Sequence, residues 1–592
     1  MTLCPIEFRW SGGAALCAGL SLALAGFAQE PSASLKQADA DYRAGVAALG
    51  HNDLTTALAE FEKVVKLAPS AEEGHSALGA VLVRLQRTSE GIRELDKALA
   101  MKPGDRNAQT NLALAYQQSG QAAKALPLFV KLEAAARAEK HSLAPSILAP
   151  YARTLAAEGR IPEATTKMKE AVAGDPRNAE LQDELGSLYA QHQDWAKAEE
   201  AFSAALNASP DFAMAHLHLG LTRKAEQQPG AMEELAKAYR LAPENALIAL
   251  QFGQALADSG DDAQAIPILE HATKVDPAST AAAYQLGLAL QRANRLDEAI
   301  PLLQKTAAAE PQNAEVLTNL GMALCQMQNA KDAVPILQRA VKLSPENPTA
   351  HQDLAAAFIQ LNQIEDAVDE LRAALKLSPG APQLHYNLGL ALKMQDDAAG
   401  AIPELESAEK LNPSASEPPY VLGVLYMQVG RYADAARELN ISLKLHPENG
   451  DGWATLGSVD SKLDQLPEAV SALQEAIRQL PRQPDPHLTL AAVLVKQNQP
   501  AEAAEERRKA ADLMRANMNR QRAEVATNAA NAQMKNGNLD DAIAQFREAL
   551  SYDANYAEAH LGLASALERQ GKSAEAAEER RKAADQRKTD PK

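Results

Sequence analysis

Between Ala246 and Ala415 small, apolar and polar positions recur with a period of 34 residues, five times without a gap. Three columns carry the period. Gly253, Gly287, Gly321, Ala355 and Gly389 form the first, Ala265, Ala299, Ala333, Ala367 and Ala401 the second, and Pro277, Pro311, Pro345, Pro379 and Pro413 the third. Counted within each repeat, the patterned positions are 4, 7, 8 and 11, then 20, 24 and 27. Spacings of three and four share one face of a helix, so the pattern predicts two helices per repeat, each with one packed face. Gly or Ala at position 8 and Ala at position 20 are expected where the pair crosses most closely. Ser119-Gly120, Glu158-Gly159, Ser259-Gly260 and Val429-Gly430 predict the turn between the helices. Proline at position 32 ends the second helix, because it has no backbone donor and crowds the turn before it. A unit this small cannot bury its own apolar face and must lean on its neighbours, which predicts an all-α solenoid and, in functional terms, a binding surface.

The same ruler runs from Ala38 to the C-terminal end. It marks sixteen repeats, with five extra residues before a repeat that starts near Pro145 and one residue missing around Pro229-Gly230. The eighth position is Gly or Ala in all of them. Repeat thirteen carries Trp453, Leu456, Gly457, Ala469, Leu473, Ala476 and Pro481, and repeat five Leu185, Gly186, Tyr189, Ala198, Phe202, Ala205 and Pro210. This pattern resembles the tetratricopeptide repeat, over residues 38–588. The resemblance implies an α-solenoid of about sixteen antiparallel helix pairs wound into a right-handed superhelix, with the first helices lining its concave side and protein or peptide ligands lying there.

Composition agrees with thin helical layers: 46% of residues are hydrophobic but only 4% aromatic. A formal charge of -18 disfavours a nucleic-acid partner, which needs a surplus of Lys and Arg on the binding face. The three cysteines are Cys4, Cys17 and Cys325. The first two fall in a leader, residues 1–28, where Arg9 precedes an apolar run from Gly12 to Phe27 and Gly26-Phe27-Ala28 offers small residues for cleavage. That run is short for a membrane span of ~20 residues, so a secretory signal is expected in preference to an uncleaved anchor, and no integral span remains after cleavage. Leu16 before Cys17 is too bulky for a lipid-modification site. The mature chain is expected in the periplasm or cell envelope of a bacterium, or secreted. A polar lead-in occupies 29–37, repeats one to fourteen 38–522, repeats fifteen and sixteen 523–588, and a short tail 589–592.

If first helices line a groove, positions 5, 6 and 9 border it. Position 6 reads Gln251, Gln285, Asn319, Asp353 and Asn387 through the regular centre. A column of amides can donate to and accept from the backbone of an extended peptide. It resembles the asparagine ladder of the protein O-linked N-acetylglucosamine transferase family. Tyr284, Tyr386 and Tyr420 stand beside it at position 5, and Leu288, Met322, Leu390 and Val424 make an apolar floor at position 9. Elsewhere position 6 is irregular, as Arg43, Ala77, Glu184 and His218 show. The carboxylate clamp of the family, Lys at 5 with Asn at 9, is missing: repeat one has Tyr42 and Val46, repeat nine Thr318 and Met322.

His75, His216, His351, His385, His487 and His560 all occupy position 4, a half-buried slot that suits a flat side chain and not a metal site. No phosphate-cradling loop, His-Glu-x-x-His or nucleophile elbow is present, and no cofactor or enzymatic activity is expected. Residues 501–512 and 574–585 are the same twelve residues, AEAAEERRKAAD, placing Arg507 and Arg580 where a core Phe or Leu belongs. Such a helix suits the end of a stack. A break is therefore expected after repeat fourteen, with a polar helical bridge at 515–524 leading to a two-repeat tail that either docks or shares one long continuous helix; an uninterrupted stack with a wet seam is the alternative. The reading is a non-enzymatic scaffold for extended protein segments. A recognition subunit for an enzyme on another chain, or a self-assembling structural protein, are the alternatives.

Overall fold

The computed structural model describes residues 33–589, so the leader, with Cys4 and Cys17, lies outside the described residues. Among the described residues there are 31 helices and no strand. The fold is the α-solenoid of antiparallel helix pairs that the columns predict. Its first helix, Ala33–Gly50, starts inside the polar lead-in. The chain forms two compact bodies, one ending at Ala309 and the other starting at Glu310. In each body a first helix packs on its own second helix, and a second helix packs on the first helix of the next repeat.

Position 24 is the centre of repeats one to thirteen and of repeat fifteen. Phe61, Leu95, Phe129 and Leu269 in the N-terminal body, and Leu337, Leu405, Leu473 and Phe546 in the C-terminal one, are fully buried. The glycine column exists to admit them: a Cβ added at Gly253 would lie 2.6 Å from Leu269 Cγ, and one at Gly186 2.6 Å from Phe202 Cε1. Position 20 contributes its backbone more than its side chain, since a Cβ on Gly389 would stand 3.4 Å from Ala401 O. The expected pairing of positions 8 and 20 is thus a contact of position 8 with side chain 24 and carbonyl 20.

Every turn between paired helices uses one left-handed residue at position 15. Its φ runs from 54° at Gln227 to 84° at Gly537. Glycine supplies it at Gly120, Gly159, Gly260, Gly430, Gly537 and Gly571, whereas Asn, Asp or Gln does so in the other repeats, for example Asn52, Gln193, Asn362 and Asp464. The two irregularities of the ruler carry an additional left-handed residue each: Lys140 in the five-residue insertion, and Gly230 where one residue is missing.

Sixteen pairs would require one helix more than the 31 present. The difference is Pro500–Lys535, a continuous helix of 36 residues that serves as second helix of repeat fourteen and first helix of repeat fifteen. Its N-terminal part packs by Ala503 and Ala510, its C-terminal part by Ala523, Thr527 and Ala530, and no residue between Ala510 and Ala523 is buried. Arg507 and Arg580 are exposed, so the core slot is empty of apolar side chain in both copies of the duplicated segment. Arg580 turns outward to Glu568.

Candidate functional site

The first helices carry the predicted column, divided between the two bodies. In the N-terminal body Gln251 and Gln285 lie half-buried on Ala246–Asp258 and Thr280–Arg292, with Tyr284 half-buried beside Gln285. In the C-terminal body Asn319, Asp353 and Asn387 occupy Ala314–Gln326, Pro348–Gln360 and Pro382–Met394, and Tyr386 and Tyr420 border them. These helices start firmly: Asn313 accepts from Glu315 N and Val316 N, and Asn347 from Thr349 N. The floor residues Met322, Leu390 and Val424 are half-buried.

Asp353 differs from its neighbours. It is 9% exposed, and its Oδ2 is buried with no hydrogen-bond partner. Burial pushes its carboxyl up to about 7. Next to it, the Cys325 thiol is pushed up to about 11, by burial first and then by the charge of Asp353. Gln360 Nε2 donates to Cys325 O at 2.9 Å and ties the two helices together at their C-terminal ends. Asn387 Oδ1 accepts from Gln383 Nε2 at 2.9 Å, one turn earlier on the same helix. The hydroxyls of Tyr386 and Tyr420 are raised by burial, then by Glu417 and Asp451 respectively.

The corresponding face of repeats four to seven is closed on itself. Arg153 forks onto Glu184 at 2.8 and 2.5 Å, His218 Nδ1 meets Asp183 Oδ1 at 2.8 Å, and Lys224 reaches Asp258 at 2.6 Å. Sequence reasoning noted Glu184 and His218 only as departures from the column and missed Arg153 and Asp183. A signal was present, since opposite charges 31, 34 and 35 residues apart fall on adjacent first helices.

The histidine column does more than fill a slot. His351 Nδ1 is 2.5 Å from Glu370 Oε2 and its Nε2 3.1 Å from Pro345 O; His385 does the same with Glu404 and Pro379 O at 2.6 and 3.0 Å. Each ring thus spends both nitrogens on its own second helix and the preceding repeat. Gln109, Gln182 and Trp453 stand at the same position and donate to Pro103 O, Pro176 O and Pro447 O. Position 4 is a donor column that joins consecutive repeats, a role that the preference for flat side chains did not reveal.

Profiles described as tetratricopeptide repeat match residues 150–246, 250–390, 420–484 and 527–591. The chain belongs to the tetratricopeptide repeat family. No curated protein matches it. Among solved structures, tetratricopeptide relatives include MamA from Desulfovibrio magneticus RS-1, 22% identical over 28% of this chain and 96% of that one, with a TM-score of 0.27. YrrB, described as a tetratricopeptide repeat protein with an unusual peptide-binding site, is 22% identical over 34% of this chain and 99% of its own, with a TM-score of 0.28. The Cut9-Hcn1 hetero-tetramer of the APC/C matches 90% of this chain and 97% of its own at 15% identity and a TM-score of 0.33. The assignment rests on the repeat profiles. Tetratricopeptide repeats are protein-interaction scaffolds in general, and this is the function that the repeats give the chain. Among the described residues no helix is long and apolar enough to cross a membrane.

Proposed function

We propose that this protein is a non-enzymatic scaffold that holds extended protein segments against the first helices of its C-terminal body, in the cell envelope after export. One observation supports this most: among the described residues, the first helices of repeats ten to twelve carry Asp353, Tyr386, Asn387 and Tyr420 beside the apolar Leu390 and Val424, with no ion pair between them of the kind that closes the same face in repeats four to seven. An amide column matches the two-sided hydrogen bonding of a peptide backbone, and tyrosine adds flat contact area at low entropic cost. Export is inferred from the leader at residues 1–28.

The test compares the native chain with a triple variant, Asn319→Ala, Tyr386→Ala and Asn387→Ala, as bait for a bacterial envelope extract. The expected result is a partner held by the native chain and lost by a variant that melts at the same temperature. Equal retention by both would reject the groove. Export is checked separately by fractionating cells that express the full chain and sequencing its N-terminus, expected at Gln29.

A further inference from the structure

Asp353 is a polar group that the fold has not satisfied. Burying a carboxylate without a partner is costly, and folded proteins normally pair such a group or hydrogen-bond it. Here Oδ2 is out of solvent with no partner, although the side chain is over nine-tenths buried. No Lys, Arg or His forms an ion pair with it among the described residues. Lys393, half-buried on the next first helix, is not bonded to it. Cys325, the neighbour whose thiol feels its charge, is held neutral and supplies no counter-charge.

The surroundings show what is missing. Ala356, one turn along the same face of Pro348–Gln360, is exposed, and Ile359 a further turn on is half-buried, so the helix opens to solvent beside the carboxylate. Met322, half-buried at position 9 of repeat nine, adds apolar surface to the column. A buried acid beside a strip of aliphatic surface is complementary to a side chain with an apolar stem and a cationic head. Asn319 and Asn387, on the helices before and after, stand where the backbone of the same ligand would pass.

We propose that the groove of the C-terminal body selects extended segments that carry a lysine or arginine side chain opposite Asp353. This rests on the groove reading above and adds its chemical specificity. The raised carboxyl pKa is consistent with a site that lacks its cation until the ligand arrives.

The experiment pans a random dodecapeptide display library against the full native chain, Asp353→Asn, Asp353→Ser, and the double variant Asn319→Ala and Asn387→Ala. Enriched peptides are then measured by fluorescence anisotropy, with each basic residue replaced by norleucine. Both Asp353 variants remove a buried charge and are expected to fold; their melting temperatures check this. The expected result is enrichment of one Lys or Arg by the native chain, a loss of about tenfold on its replacement, and no such loss with Asp353→Asn or Asp353→Ser. Peptides without a basic preference, or the same preference in the Asp353 variants, would overturn the inference. If those peptides are nevertheless lost by the double variant, the groove reading survives it. Binding that the double variant leaves unchanged, or no enrichment by any chain, would sink both.

Discussion

His75 joins two repeats: its Nδ1 lies 2.6 Å from Glu94 Oε2 in its own repeat, and its Nε2 3.1 Å from the carbonyl oxygen of Pro69 in the repeat before. Both ring nitrogens face acceptors, so a proton on either one has an oxygen to be donated to. Burial raises the Glu94 carboxyl, but Lys97 and His75 outweigh it and hold the group below its ordinary value. The same arrangement recurs at His216, His351, His385 and His560.

Replacing one of these rings with a flat apolar side chain separates packing from hydrogen bonding. His351→Phe is expected to destabilise repeat ten by about 1–3 kcal/mol, because a carboxylate and a carbonyl lose their donor. His351→Gln is expected to recover part of the loss, since Gln109 and Gln182 already donate from this position. Hydrogen exchange of the amides of repeats nine to eleven in the two variants decides it; equal loss in both would show that shape alone matters.

The left-handed turn residue predicts changes of opposite sign. Gln193→Gly or Gln328→Gly should stabilise by up to about 1 kcal/mol, because an L side chain is strained at positive φ. Gly260→Ala should destabilise by about 1–2 kcal/mol, with open space around the new Cβ leaving backbone strain as the only cause. Urea unfolding of the three variants beside the native chain provides the comparison.

A pH dependence follows from the second helices of repeats eleven and twelve. Burial pushes the Glu409 carboxyl up to about 7, and the charge of Glu438 adds to the effect. Glu438 is 5% exposed; its Oε1 is held by Arg437, whereas its Oε2 has no partner. A carboxyl whose folded pKa is raised stabilises fully below its ordinary value of 4.5, and that stability is lost as pH climbs through about 7. Asp353, raised to about 7, and Asp460, raised to about 6, act with the same sign. The melting temperature should therefore fall between pH 5 and about pH 8, and less steeply in Glu438→Gln. A steeper fall in that variant would contradict the arrangement.

The long helix Pro500–Lys535 exposes Met514 and Met518 between Ala510 and Ala523, where none of its residues is buried. Substituting these two exposed side chains removes little packing. Met514→Glu with Met518→Glu should change stability by no more than about 0.5 kcal/mol. A loss of several kcal/mol on calorimetry would mean that this stretch is packed against something in solution.

How much of this was legible in the sequence follows from what a periodic pattern records. Small and apolar residues at positions 8, 20, 24 and 27 are imposed by contacts repeated in every pair, so the repeat boundaries and both irregularities could be read off directly. Arg507 and Arg580 stand exposed in a slot that most other repeats fill with a buried Phe or Leu, so the duplicated segment could be told apart by its charge alone. The turn was half legible: Gly120 and Gly260 announced it, whereas Asn362 and Gln193 adopt the same backbone with ordinary polar side chains. The ties between repeats escaped notice, since Arg153 and Glu184 look like surface residues until a 31-residue separation is recognised as one step along the stack. The unpaired state of Asp353 was invisible for a related reason: at its column position a carboxylate and an amide look alike, and only burial distinguishes them.

The bridge between repeats fourteen and fifteen makes direction a matter of counting. Each residue of an α-helix advances about 1.5 Å and turns by about 100°, and the stretch between Ala510 and Ala523 has no buried contact to keep it in register. Adding one residue there would swing repeats fifteen and sixteen by more than a quarter turn around the helix axis while leaving every packed side chain in place. The bearing of the last two repeats is thus written in chain length, and a single-codon insertion could re-aim them at almost no thermodynamic cost.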